Sequence, residues 1–393
     1  MILFKLIVAF LIGSGLDTAL LKIVFSSFVI FEFLVVSKSW KEKIHSGTWC
    51  LLIFFLIGTL NSFYQLYLGD YEVINLVNYL LRIRFYFIEI LFGVSVYLFF
   101  KQRPLEYLLE VLLIALLLNT LVGGVQFLLN PTERIQMLFS EPSAAGFFYC
   151  FVIFIAFAKM KQTRDSFIIS RLYSIIGVLI FSKGQFLALG LVQIFKASRK
   201  IKIILIAAIL VSLIFFLDYI RLLGGKFNQI INVYANLVKY GINGLNEKYE
   251  VWSSYVTRIS AIYLAFTSLF EHPLGLGFGG FNSYYVDWIK YSGVDIVSIE
   301  TDEIKEGLKY ATPRSHILEL FSSCGLLAVF LYLKIFIKFF KARKKKTYLY
   351  VSFLSLTIVA SILELNPFYC YLAILFVLYD KEFNTPNKII VRY

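Results

Sequence analysis

Apolar residues along this chain come in long unbroken runs, without the spacing of a helix or strand that keeps one wet face. The segments 51–60, 111–122 and 147–158 have no solvated side at all. Such runs suit a hydrocarbon solvent, where only helices and closed barrels satisfy every backbone polar group. A barrel requires short segments of alternating polarity, and these are absent. The pattern therefore predicts an all-α polytopic membrane protein. Cutting the chain at its charge clusters predicts about twelve transmembrane helices, near 2–14, 17–36, 49–68, 74–100, 106–129, 143–159, 166–182, 184–196, 201–221, 315–338, 348–364 and 367–380. Several are short against the roughly 20 residues that a bilayer demands. The first two and the 166–196 pair are expected either to tilt or to be re-entrant. The first run lacks a basic leader and a small-residue cleavage site, so it reads as a span and not as a cleaved signal.

Charge then orders these segments. Lys38, Lys41 and Lys43 follow the second, Lys101 and Arg103 the fourth, and Lys159, Lys161 and Arg164 the sixth. Lys196, Arg199, Lys200 and Lys202 follow the eighth, and Lys341, Arg343, Lys344, Lys345 and Lys346 the tenth. The intervening short loops hold few cations: Asp70 and Glu72 in one, Glu133, Arg134 and Glu141 in another. Every even-numbered segment thus ends on a basic side, which predicts cytoplasmic termini. This location also changes the meaning of the net charge of +13. Cations at segment ends report membrane orientation, and no nucleic-acid partner is expected. Only 16% of residues are charged against 59% hydrophobic, too few to cover a soluble surface. Cys50, Cys150, Cys324 and Cys370 lie in or beside apolar segments without CxxC pairing, as small buried hydrophobes do.

One stretch breaks the alternation. The organisation reads as helices one to nine over 1–221, a large periplasmic or extracellular loop over 222–313, helices ten to twelve over 314–380, and a cytoplasmic tail over 381–393. The loop holds an amphipathic part at 252–270 and the run His272-Pro-Leu-Gly-Leu-Gly-Phe-Gly-Gly-Phe281. An acidic patch (Glu300, Asp302, Glu303, Glu306) and Pro313 follow. Loops of this length in compact proteins are usually functional. No internal repeat relates the two halves, which argues against repeat-built transporters.

The densest chemistry follows that loop, in Pro313-Arg314-Ser315-His316-Ile-Leu-Glu319. His316 enters a span from the outer side, with Arg314 beside it and Glu319 one turn deeper. Ionisable groups at that depth need partners or a wet cavity, and a neutral imidazole there is suited to take a proton from a hydroxyl. Its plainer reading is an interfacial histidine. Arg258 lies in the amphipathic part of the loop, as a ligand or as a solvated face residue. Arg82 and Arg84 lie inside the fourth segment, roughly 12–15 Å from its outer end. Two residues apart, they point to nearly opposite faces, one to snorkel and one to line a cavity. Guanidinium forks match phosphate oxygens. Glu141, before Pro142, is either a helix-capping carboxylate or a catalytic one. Lys183 sits in a turn as a snorkelled cation or a phosphate contact. The run Gly275-x-Gly277-x-Gly279-Gly280 has no strand before it and is no nucleotide fingerprint. It is expected to make a tight turn, with backbone N–H groups able to meet an anion. Three histidines give no metal-site spacing.

In order and topology these pieces resemble the bacterial O-antigen polymerase and ligase superfamily. The matching residues are Arg258, the 272–281 turn, and His316-Ile-Leu-Glu-Leu with Gly325-Leu-Leu327. Ser140-Glu-Pro-Ser143 is similar to a Glu-Pro-Ser element of the polymerases, and Ser182-Lys-Gly184 to the family's Ser-Arg-Gly. The resemblance spans about residues 75–340. It departs at Lys183, where the family has arginine, and at Ile317, where the family has asparagine. It implies a fold like the large transmembrane (GT-C-like) glycosyltransferases, in a bacterial cytoplasmic membrane. It also implies metal-independent, cofactor-free transfer of sugar chains from undecaprenyl diphosphate at the outer leaflet. His316 or Glu141 would be the general base, and Arg258 and Arg314, with Arg82 or Arg84 and with Lys183 as a further contact, would hold the diphosphate. The donor and acceptor would be lipid-linked oligosaccharides, with a chain-length regulator as a protein partner. A ligase of the same superfamily is the alternative reading, and a flippase or permease for lipid-linked sugars is the rival from another class.

Overall fold

A computed structural model of the chain describes residues 2–15, 18–36, 44–69, 76–129, 136–139, 142–159, 253–291, 303–304, 306, 310–362 and 364–383. Among these residues the structure is helical, with no strand. The helices are α1 (Ile2–Ile12), α2 (Ala19–Phe31) running into a π-helical turn (Glu32–Val36), α3 (Ser46–Leu68), α4 (Leu76–Lys101), α5 (Leu105–Leu129) and α6 (Pro142–Lys159). They continue with α7 (Ser253–Glu271), α8 (Gly280–Tyr291), α9 (His316–Ala342), α10 (Thr347–Ile362) and α11 (Phe368–Phe383). Four of them, α3, α4, α5 and α9, are long and apolar enough to cross a bilayer. The protein is a membrane-embedded helical protein. The segments predicted at 166–182, 184–196 and 201–221, with Lys183, lie outside the described residues. α4, α6 and α9 each carry a lysine in the last turn (Lys101, Lys159 and Lys341), where a cation also meets the negative end of the helix dipole.

The chain divides into two units. The first comprises Met1–Phe55, Arg84–Val192 and Phe330–Tyr393, the second Leu56–Ile83 and Gln193–Val329. In the first, α1 runs parallel to α5: Lys5 pairs with Glu110 near one end, and Asn119 Nδ2 donates to the Gly13 carbonyl at 2.8 Å near the other. α2 lies along α4 in the same sense, with Lys22 paired to Glu89 and Glu32 to Arg103 (2.9 Å). The 11 residues of α1 reach only about 16 Å at 1.5 Å each, half of a roughly 30 Å hydrocarbon layer. The contacts themselves set Gly13 beside the middle of α5 and Lys22 beside the middle of α4.

Residues 136–139 meet α5 and the chain just after α1. Gln126 on α5 accepts the N–H groups of Gln136 and Met137 at 3.1 and 2.7 Å and donates to the Met137 carbonyl at 3.0 Å. Asn119 accepts from Leu138 N–H, and Gly15 N–H donates to the Leu138 carbonyl at 2.9 Å. Residues 136–139 are thus tied down before Pro142 opens α6. Glu141 lies outside the described residues.

His45 is a packing residue. Its Nδ1 accepts Gly47 N–H at 3.0 Å, its own N–H donates to Tyr97 Oη at 2.8 Å, and its ring stacks on Phe376. Burial, followed by the Lys338 ammonium, lowers its pKa to about 3. The four cysteines are free, buried thiols.

Lys22 and Glu89 expose only 4% and 6% of their side chains, so each ion depends on the other for its stabilisation. Lys22→Met or Glu89→Leu alone is expected to cost about 3–5 kcal/mol, and the double substitution far less than the sum. Denaturation of the purified protein in mixed micelles measures all three, and additive losses would contradict the pairing.

Candidate functional site

The second unit is organised by a break in α9. At Gly325 the backbone leaves the helix (φ 66, ψ −161). A continuous helix would send Leu326 N–H to the Ser322 carbonyl. Here Leu326 N–H donates instead to the Pro273 carbonyl at 2.9 Å, and Ser322 accepts from Leu276 N–H at 2.8 Å. Gly277 N–H donates to the Ser323 carbonyl at 2.9 Å. The glycine-rich turn thus supplies partners for backbone groups that the break removes from the helical ladder.

Glycine is required on both sides of this clasp. Gly275, Gly277, Gly279 and Gly325 all have positive φ, which side-chain-bearing residues rarely adopt. A Cβ at Gly325 would stand 2.2 Å from the Pro273 oxygen, and one at Gly277 would stand 2.3 Å from the Ser62 nitrogen. α3 forms the third wall. Phe278 N–H donates to the Gly58 carbonyl at 3.3 Å. Asn61 Nδ2 donates to the Leu274 carbonyl and, at 3.3 Å, to that of Ser323.

These bonds correct one expectation. The N–H groups of Gly275, Leu276, Gly277, Phe278 and Gly280 all donate to carbonyls of the protein. The turn does not offer them to an anion. Its role is architectural.

The clasp holds the first turns of α9, where the ionisable residues gather. Ser315 caps the helix: its Oγ accepts Leu318 N–H at 3.2 Å and its carbonyl accepts Glu319 N–H at 2.9 Å. His316, the first helical residue, is 2% exposed. Glu319 Oε1 lies 3.6 Å from Nη1 of Arg82, which reaches over from α4. Arg314 leads into the helix in the left-handed region (φ 54) and half-buried, a conformation costing about 1–2 kcal/mol in a residue with a Cβ. Asn282 Oδ1 on α8 accepts Ala311 N–H at 2.7 Å and anchors the strand of chain that delivers it.

Beneath this end, α7 and α8 pack into a core of their own, in which Leu264, Leu276, Phe281, Tyr285 and Ile304 enclose Leu318 of α9. The amphipathic part predicted at 252–270 is α7, so the stretch between spans is a packed helical element where it is described. Burial lowers the pKa of His272 from 6.5, with Glu271 partly offsetting it. The imidazole is thus neutral at neutral pH, with its ring edge-on to Tyr284.

Of the sequence candidates, the structure brings Arg82 to Glu319, with His316 one turn before Glu319 on α9 and Arg314 at the helix mouth. Arg84 is exposed on another face of α4. Arg258 lies on α7, where only its backbone is described. Glu141 and Lys183 lie outside the described residues. Sequence reading missed Gly58, Asn61 and Ser62. Their signal is a small and polar cluster, Gly-Thr-Leu-Asn-Ser, within an otherwise apolar helix. Among the described residues, no three of His, Cys, Asp and Glu come close enough to hold a metal. No model of a known protein family matches this chain, and no curated protein matches it.

Substituting alanine for glycine separates the clasp from ordinary helix positions. Gly277→Ala and Gly325→Ala are each expected to cost about 2–4 kcal/mol, combining strained φ with overpacking. A Cβ at Gly124 meets nothing within 4 Å, and Gly124→Ala is expected to be neutral or to gain up to about 1 kcal/mol. Thermal unfolding in detergent, read beside protease cutting within 272–281, checks the contrast.

Proposed function

We propose that this chain polymerises lipid-linked oligosaccharide repeat units into surface polysaccharide, O-antigen or capsule, at the outer face of a bacterial cytoplasmic membrane. The observation that carries the proposal is the gathering of Arg82, Arg314, His316 and Glu319 at the first turns of a membrane helix that is clasped by an adjoining helical segment. Intramembrane ionisable groups are costly, and they mark substrate sites more often than packing. Two arginines beside a buried imidazole suit a reaction that expels a diphosphate. The resemblance in residue order to the O-antigen polymerase superfamily supplies the substrate class.

In this reading the donor is a sugar chain on undecaprenyl diphosphate, and the acceptor is the terminal hydroxyl of a second lipid-linked unit. The hydroxyl oxygen bonds to the anomeric carbon as the bond from that carbon to the diphosphate oxygen breaks. His316 takes the hydroxyl proton, a role that Glu141 would fill in its place if His316 only positions the acceptor. Arg82 and Arg314, with Arg258 from α7, stabilise the charge that develops on the leaving diphosphate. The proposal includes a GT-C-like arrangement of about a dozen membrane segments, the first two re-entrant, with both termini cytoplasmic. A chain-length regulator is the expected protein partner.

His316→Ala and Arg258→Ala are tested in a strain lacking the gene. The proposal expects single repeat units in place of the ladder of chain lengths. A normal ladder in both would sink it, and loss of ligation with chain length intact would move the chain to the ligases. Elongation of a lipid-linked oligosaccharide by purified protein, without an ion gradient, would exclude a permease.

A further inference from the structure

We infer that α7 and the turn after it are sunk into the membrane leaflet at whose surface α9 begins, with the stripe Ile262, Tyr263, Phe266, Phe270 and Leu274 seated against lipid acyl chains. This stands apart from the function proposed above and holds or fails without it.

Two membrane helices set the depth. The turn meets α9 at its break, where Leu326 N–H donates to the Pro273 carbonyl. Gly325 follows His316, the first residue of α9, by nine positions, which is about 14 Å of helix. The turn meets α3 at Gly58, whose carbonyl accepts Phe278 N–H. Gly58 precedes Leu68, the last residue of α3, by ten positions, or about 15 Å. Leu68 and His316 lie on the same side, because the opposite ends of the two helices meet where Lys338 reaches His45 and Ser46. Both helices are long and apolar enough to cross a bilayer. Each independently places the turn about half-way into a hydrocarbon layer of roughly 30 Å. From there the chain climbs, with Gly277 against Ser62 and Gly279 against Tyr79 near the start of α4.

The surface of α7 suits that depth. Between residues 261 and 274 every exposed side chain except Glu271 is apolar or aromatic, and Phe270 and Leu274 are 81% and 74% exposed. Positions 262, 266 and 270 share one helix face. The polar side chains of the same stretch are satisfied inside the protein. Ser260 Oγ is hydrogen-bonded to Tyr285 Oη at 2.8 Å, and Thr267 and Ser268 donate to the carbonyls of Tyr263 and Ala265 at 3.0 and 2.9 Å. Glu271 accepts from the Tyr284 hydroxyl at 2.6 Å. Hydrocarbon demands such internal pairing and water does not. The stripe also continues into the apolar faces of the two spans. The Asn61 amide ties α3 to the Leu274 carbonyl, and Leu60 and Phe63 beside it are exposed, as are Leu326 and Leu327 below the break in α9. Acyl chains cover such a belt without interruption. The stretch expected from sequence to be an external loop thus enters the membrane at 262–279.

Spin labels on the full chain in lipid nanodiscs test this. Phe266→Cys, Phe270→Cys and Leu274→Cys are labelled singly, with Lys345→Cys in the exposed turn between α9 and α10 as the aqueous control. The native cysteines are buried. Oxygen concentrates in hydrocarbon and a polar nickel chelate in water. The ratio of oxygen to nickel collisions at the three positions is expected to exceed that at Lys345 about tenfold or more. Ratios equal to that at Lys345 would overturn the inference by placing the stripe in water. Labels shielded from both reagents would overturn it by showing a protein surface over the stripe. The unsubstituted chain gives a second test that needs no variant. A phospholipid carrying a diazirine at mid-chain, photolysed in liposomes, is expected to attach to peptides within 262–274. Attachment confined to α3, α4, α5 and α9 would overturn the insertion.

Discussion

The second unit depends on one exchange of backbone hydrogen bonds. α9 gives up its rungs at Gly325, and the turn at 273–277 supplies replacements from Leu276 and Gly277 while accepting Leu326 N–H at Pro273. In a hydrocarbon solvent a broken helix is tolerated only where other protein groups take up the freed donors and acceptors. The glycines follow from that constraint, because the two backbones approach too closely for a Cβ on either side. So does Asn61, whose amide reaches one carbonyl on each partner. The consequence for chemistry is positional. His316 and Glu319 ride on a half-helix whose lower end is clamped, and Ser315 caps its upper end.

Charge inside the protein obeys a similar rule of local compensation. Lys5 has Glu110, Lys22 has Glu89, Arg103 has Glu32, and Arg82 has Glu319. The first three set α1 along α5 and α2 along α4. The fourth joins α4 to the first turn of α9 at 3.6 Å.

Much of this was legible in the sequence, for identifiable reasons. Long apolar runs map directly onto helices because every backbone group must be satisfied within the segment, so α3, α4, α5 and α9 fall within a few residues of the predicted spans. Arg82, Arg314 and His316 stood out because ions are rare in such runs. The clasp was not legible. Its bonds join main-chain atoms some fifty residues apart in sequence, and a glycine-rich turn looks the same whether its N–H groups face an anion or a broken helix. Nor does hydrophobicity reveal which helices α1 and α2 lie against. That answer came from Asn119 and Lys22, polar residues whose partners lie on other helices.

Hydrogen exchange at the amides of Leu276 and Gly277 tests the clasp most directly. If these two N–H groups complete the ladder of α9, they exchange as slowly as the helical amides around Leu320, in the absence of any ligand. Exchange as fast as that of an open loop, slowed only when a diphosphate is added, would contradict the account and return the turn to the role of an anion cradle.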